Sequence, residues 1–117
     1  MEIKVSTRHG HVSQATQTRI TSRVEKLTRL FGRLTAIEIT IDLERRDLPS
    51  IDLKVLAEHK HDFLATSQSA DLLASTDTVV RKVEQQLRRY KERIQERHRN
   101  TPGHRQEASG DSEPAID

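Results

Sequence analysis

Apolar and polar residues alternate along four stretches of the chain, which is the pattern of strands with one buried face. The stretches are Glu2–Arg8, Thr35–Arg45, Ile51–Ala57 and, more weakly, Asp62–Ser69. Pro49 lies between the second and third stretches and indicates a turn, because proline cannot donate to a strand ladder. Short connections join the last three stretches, so these strands are predicted to pair antiparallel.

Two other segments repeat their apolar residues every three or four positions, which predicts amphipathic helices. The first helix is predicted from about Ser13, which can cap it, to Phe31, with Gly32 ending it in the usual way for a helix C-terminus. The second is predicted from near Ala70 to about Arg97. The order β-α-β-β-β-α predicts an α+β fold, with a four-stranded sheet, a first strand parallel to the second, and two helices packed on one face.

Length and composition limit the organisation of the chain. It has 117 residues and no cysteine, and no apolar run approaches the ~20 residues of a membrane-spanning helix. The N-terminal segment has no charged-then-apolar leader, so we expect a cytoplasmic protein without membrane contact. We predict one domain over residues 1–99. Residues 100–117 are rich in Pro, Gly, Ser and acids, and we expect a disordered acidic tail.

Charge is distributed unevenly along the chain. The formal net charge is only +2, but residues 1–99 contain 19 Lys/Arg and 14 Asp/Glu, whereas residues 100–117 contain one Arg and four acids. The strand region 34–69 has four Lys/Arg and seven acids. The predicted domain is therefore basic on its helices and neutral to acidic on its exposed sheet face.

The basic residues of the helices follow the apolar stripe. Helix 1 has five of them, including Arg33, against a single acid, Glu25. Most lie one residue before an apolar position, which is about 100° away on a helix. Lys82, Arg89 and Arg93 have the same relation to the stripe of helix 2, so we expect them to face the same side as the basic residues of helix 1. The candidate RNA-binding residues are Arg19, Arg23, Lys26, Arg29, Arg81, Lys82, Arg88, Arg89, Lys91 and Arg93.

Such a surface suits a polyanion, because Lys and Arg that neutralise phosphates release counterions. Solvated outer helix faces are the alternative explanation of these charges. The single Tyr and two Phe lie at predicted core positions, so recognition by stacking on unpaired bases is not favoured. Readout of folded RNA by shape and phosphate is more consistent with this composition. The helices are separated by three strands and form no helix-turn-helix unit for DNA.

Catalytic and metal-binding patterns are weak. The four glycines form no phosphate-binding loop, and no serine lies in a Gly-x-Ser-x-Gly turn, so we expect neither an enzyme nor a small-molecule substrate. His9 and His11, like His59 and His61, could supply metal ligands, but both pairs fall in predicted turns and there is no Cys to complete a set. We therefore expect no metal and no cofactor.

The segment from Ala65 to Asp77, continued by residues 81–91, resembles the ribosome hibernation-promoting factor family, also called ribosome-associated inhibitors or sigma-54 modulation proteins. Members carry Asp-Met-Tyr-x-Ala-Ile-Asp followed by Lys-Leu-x-x-Gln-Leu. The positions that fit this pattern are Asp71, Asp77, Lys82, Gln86 and Leu87, together with the pair Lys26-Leu27. Leu73 replaces the motif tyrosine, and Ser75-Thr76 replaces Ala-Ile.

The resemblance implies a factor of the short type that binds rRNA of the small ribosomal subunit. The family binds in the decoding channel, over the tRNA and mRNA sites, and inhibits translation in idle or stressed cells. The protein is then expected to be a monomer when it is off the ribosome. The sequence is also compatible with two alternatives: a regulator of an alternative sigma factor that uses the exposed sheet face, and a free-standing binder of structured RNA.

Overall fold

The computed structural model describes residues 2–99, apart from the side chains of Lys60 and of residues 94–99. Two helices and four strands account for most of these residues. The elements are β1 (Glu2–Arg8), α1 (Gln14–Leu30), β2 (Leu34–Asp42), β3 (Ser50–Ala57), β4 (His61–Gln68) and α2 (Leu72–Arg99). The predicted order β-α-β-β-β-α is confirmed. The tail predicted at residues 100–117 lies outside the described residues.

The four strands form one mixed sheet in the order β1-β2-β3-β4. β1 is parallel to β2, and the other two pairings are antiparallel, as the crossover through helix 1 and the short connections predicted. The apolar residues lie in register across the sheet, with Val5 opposite Ile39, Ile39 opposite Leu53 and Leu53 opposite Ala65. One face of the sheet is thus continuously apolar.

Both helices cover this apolar face and enclose a single hydrophobic core. α1 contributes Ile20, Val24 and Leu27, and α2 contributes Val79, Val83 and Leu87, all of them almost completely buried. Each fully buried side chain of this size stabilises the fold by about 1.5–3 kcal/mol relative to an exposed one. The predicted α+β architecture with two helices on one face is therefore confirmed.

The ends of α1 are formed differently from each other. At the start, the Ser13 hydroxyl accepts a hydrogen bond from the Thr16 amide at 3.1 Å, so Ser13 is the predicted N-cap. At the end, the expectation for Gly32 was wrong, because Gly32 does not adopt a positive φ. The helix instead stops at Phe31, whose extended backbone (φ −145°, ψ 113°) leads into β2 while its ring is buried in the core.

The start of α2 is fixed by polar side chains. The Asp71 carboxylate accepts hydrogen bonds from the amides of Leu73 and Ala74 at 3.1 and 3.2 Å, and so caps the helix. Ser75 and Thr76 are buried, but each hydroxyl has a partner: Ser75 bonds the Ser69 hydroxyl, and Thr76 donates to the Leu72 carbonyl. These hydrogen bonds explain how two hydroxyl side chains are tolerated in the core. Within residues 2–99, neither helix has an apolar stretch of the length required to cross a bilayer.

Candidate nucleic-acid interface

α1 and α2 lie side by side and run in the same direction on the sheet. Arg23 of α1 donates to the Leu73 carbonyl at 3.3 Å and to the Asp77 carboxylate at 2.8 Å. One turn further along α1, a shallow groove between the helices is lined by Lys26, Leu27, Arg29, Leu30 and Glu84. The basic residues of α1 therefore lie beside the flank of α2 that carries Asp77 and Glu84.

The basic outer surface around this groove is called the interhelical surface here. Spacings of three, four or seven residues keep its members on one stripe of each helix. Two of its arginines are paired with carboxylates of α2, Arg23 with Asp77 and Arg88 with Glu84, the latter at 2.7 Å. All these side chains are at least partly exposed, so the ion pairs are weak and accessible. The interhelical surface consists of Arg19, Arg23, Lys26, Arg29, Arg81, Arg88 and Lys91.

The opposite flank of α2 contradicts the expectation that all the basic residues face one side. Lys82 donates to the Thr66 carbonyl of β4 at 3.2 Å, so it points away from α1. Arg89 and Arg93 follow Lys82 by seven and eleven residues, which returns them to nearly the same direction on the helix. Lys82, Gln86, Arg89 and Arg93 form the β4-facing flank. The expectation failed because a buried stripe has two sides. Basic residues on either side lie next to the stripe, but they face in different directions.

The family-motif residues have structural partners in the described part of the chain. Asp71 caps α2, whereas Asp77 lies in the second turn and pairs with Arg23. Gln86 donates to the Leu64 carbonyl of β4 at 3.0 Å. Leu73, at the position of the motif tyrosine, is half-buried, and its carbonyl accepts from Arg23. Arg33 lies beyond the end of α1.

The aromatic residues form one cluster inside the domain. Tyr90 contacts Phe31 and Phe63 edge-on, with ring centroids 5.8 and 5.4 Å apart, and the His61 ring lies 4.3 Å from Tyr90. Phe31 and Phe63 are buried, and Tyr90 is half-buried. The cluster fastens the middle of α2 to α1 and β4. Its rings are engaged with one another, so they do not form an open stacking platform for bases.

Potential metal ligands come together at the end of β1 and β2. His9, Asp42 and Glu44 place one ligand atom each within 4.8 Å of one another, while His11 does not join them. The His9 ring nitrogen Nδ1 bonds Asp42 at 2.9 Å, and this hydrogen bond, helped by that from the Glu44 amide, holds the pKa of Asp42 below its usual value. Hydrogen bonding within this exposed group accounts for its geometry without an ion.

The open face of the sheet carries charges of both signs. Lys4, Glu38 and Lys54 are in register across β1, β2 and β3, and Leu64 of β4 completes the row. Leu64 is 59% exposed. Alternating charges and an apolar residue make this face far less basic than the helices.

The hydrogen bonds from Lys82 and Gln86 to β4 are the contacts that the sequence did not indicate. Each acceptor is a backbone carbonyl, and every residue has one, so no residue type marks it. The only available signal is the four-residue spacing of the two donors, which places them on one flank of α2. Which carbonyls accept these hydrogen bonds depends on the position of β4 at the edge of the sheet, next to α2.

The fold and the charge distribution define a small α+β domain with a basic helical side and a mixed sheet side. A family model described as sigma 54 modulation protein / S30EA ribosomal protein matches residues 3–95. The chain therefore belongs to this family, and the resemblance inferred from the motif is confirmed. Membership associates it with ribosomal proteins and not with an enzyme family. No curated protein sequence matches the chain.

Solved structures share the fold. A ribosomal subunit interface protein from Coxiella burnetii is 20% identical with a TM-score of 0.70, covering 78% of this chain and 98% of its own. The N-terminal domain of Thermus thermophilus Protein Y is 20% identical with a TM-score of 0.68, covering 77% of this chain and 99% of its own. At this identity the likeness establishes the shared architecture of the domain.

Proposed function

We propose that this protein is a ribosome hibernation factor that binds rRNA of the small ribosomal subunit in the decoding channel. By occupying the tRNA and mRNA sites it inhibits translation in idle or stressed cells. The observation that carries the proposal is the interhelical surface: two parallel helices bring seven Lys and Arg together on one side of a domain of this family. The protein acts there as a monomeric cytoplasmic binding protein, without catalysis, cofactor or metal.

The binding chemistry follows from the exposed cations of this surface. Guanidinium groups bond phosphate oxygens in pairs, and lysines add point charges that displace counterions. Arg19, Lys26 and Arg81 have no carboxylate within ion-pair distance among the described side chains of residues 2–93. Their charged groups are therefore available to bind phosphates. The β4-facing flank contributes Arg89 and Arg93 at the rim of the contact.

The test is co-sedimentation of the purified protein with small subunits, large subunits and bare duplex RNA, together with a translation assay. We expect binding to small subunits and inhibition that competes with tRNA and mRNA. If ~6 phosphates are engaged, the affinity should fall roughly 10³-fold or more between low and moderate salt. An affinity that is unchanged by salt contradicts the proposal.

Two results would favour the other functions. Equal binding to bare duplex RNA indicates a free-standing RNA binder. Salt-resistant capture of a sigma factor through the sheet face indicates a protein-binding regulator. The control variant replaces Lys54, Arg45 and Arg46 with Gln. These residues belong to the sheet and its turn, and their loss should leave subunit binding nearly intact.

A further inference from the structure

β4 is an edge strand whose outer backbone is open to pairing. It pairs only with β3 among the strands of residues 2–99, and the carbonyls of Leu64 and Thr66 point outward from the sheet. An open edge of this kind is a template for a strand from another molecule. The exposed side chain of Leu64 lies near the middle of the strand and adds an apolar contact.

The other edge strand, β1, is protected by its own sequence. Its residues on the open face include Glu2, Lys4 and Arg8, and charged side chains on an edge disfavour pairing. On β4 the corresponding residues are Asp62, Leu64, Thr66 and Gln68, with one charge at the end of the strand. β4 therefore depends on another element for its protection.

α2 covers the exposed carbonyls of β4 with two side-chain donors. The Lys82 ammonium donates to Thr66 at 3.2 Å, and the Gln86 amide donates to Leu64 at 3.0 Å. Four residues advance a helix by about 6 Å, and two residues advance a strand by about 6.6 Å. The spacings match, so the two donors reach consecutive outward carbonyls of β4.

We propose that Lys82 and Gln86 prevent the edge strand β4 from pairing with β4 of a second copy of this chain. Two copies related by a two-fold axis can pair their β4 strands antiparallel, which places the exposed Leu64 side chains near the centre of the contact. The two donors occupy the carbonyls that such a pairing requires. This role keeps the free protein monomeric and is independent of RNA binding.

The test compares two double variants in sedimentation velocity and light scattering, without RNA, over a range of concentrations. Replacing Lys82 and Gln86 with Ala should produce dimers and larger species at concentrations at least about 10-fold lower than for the unaltered protein, because every 1.4 kcal/mol of association energy corresponds to a factor of 10. The matched control replaces Arg81 and Gln85, the preceding residues of like chemistry, which are exposed. It should stay monomeric.

Further variants identify the surface that associates. Adding Leu64→Lys to the Lys82 and Gln86 double variant should restore the monomer, because like charges then face each other across the strands. Gln86→Glu keeps the shape and removes the donor, so it should associate, whereas Gln86→Lys retains a donor and should not. The circular dichroism spectrum checks that each variant is folded. A monomeric double variant, a control that associates equally, or association that survives Leu64→Lys would overturn the proposal.

Discussion

The two sides of α2 both carry basic residues but meet different partners. On the side towards α1, carboxylates lie among the bases, and Asp77 and Glu84 pair with arginines. On the β4-facing flank, Lys82 and Gln86 donate to backbone carbonyls, and positions 82, 86, 89 and 93 include no acid. The outward carbonyls of the strand edge accept hydrogen bonds from these donors. A neighbouring helix accommodates both signs.

The position of a residue next to the buried stripe of a helix does not determine which part of the protein that residue contacts. The topology of the sheet decides whether a given flank of the helix meets another helix or a strand edge. The same side-chain chemistry then serves different purposes on the two flanks. On the flank towards α1, the cations are available to an external polyanion. On the β4-facing flank, Lys82 is bonded to a backbone carbonyl of the protein.

The largest expected effect comes from removing charge on the α1 side. Replacing Lys26, Arg81 and Lys91 with Gln should weaken binding to small subunits by about 10²-fold or more, because charge-assisted hydrogen bonds contribute ~1.5–3 kcal/mol each. The slope of log affinity against log salt should fall by about three. Both are measured by titration at several salt concentrations.

The matched variant replaces Lys82, Arg89 and Arg93 with Gln, which is the same change in charge on the β4-facing flank. We expect a loss of only about 10-fold in affinity, equivalent to ~1.4 kcal/mol. If this variant lost more affinity than the first, the RNA would contact the β4-facing flank, and the assignment of the interhelical surface would be wrong.

The second prediction concerns the buried stripe that separates the two flanks. Leu87 is 1% exposed, and Leu87→Ala should lower the free energy of unfolding by about 2–5 kcal/mol, because it leaves a cavity. The exposed neighbour gives the control: Arg88→Ala should cost less than about 1 kcal/mol. Urea unfolding measures both, and similar losses would contradict the orientation of α2.

A smaller effect is expected for the ion pair between the helices. Arg23 and Asp77 are 36% and 50% exposed, so the coupling energy from a double-mutant cycle of Arg23→Gln and Asp77→Asn should be below about 1 kcal/mol. Unfolding of the two single variants and the double variant measures it. A coupling several times larger would mean that this contact is a main connection between α1 and α2.

The smallest effect lies away from both flanks, at Asp42. Because the His9 hydrogen bond lowers its pKa, the contribution of this carboxylate to stability is present above its unfolded pKa and is lost as the pH falls through its folded pKa. NMR titration should give a pKa below the usual value, and His9→Ala should raise it. Subunit binding at neutral pH should not change in that variant.

The sequence predicted the elements well because the periodicity of apolar residues reflects one continuous core. α1 was expected from Ser13 to Phe31 and extends from Gln14 to Leu30. β2 was expected to continue to Arg45 but ends at Asp42, opposite Ser50, where its partner strand begins. The alternation of apolar and polar residues continues past Asp42. The end of β2 could not be predicted from it, because the pattern within one strand does not show where the partner strand begins.

The candidate site was predictable as a set of residues and not as an arrangement. Clustering of Arg19, Lys26 and Arg81 follows from two amphipathic helices on one face. The separation of Lys82 from them requires knowing that β4 is at the edge and lies beside α2. Its acceptor, the Thr66 carbonyl, is set by tertiary packing, which no local pattern encodes.

The parallel pairing of β1 with β2 also sets the order in which the sheet can assemble. β2, β3 and β4 are joined by short connections, so their pairings close small loops at little cost in chain entropy. Val5 lies opposite Ile39, and this contact forms only after the chain between them has folded back through α1. We therefore expect the three-stranded meander to form early and β1 to complete the sheet last.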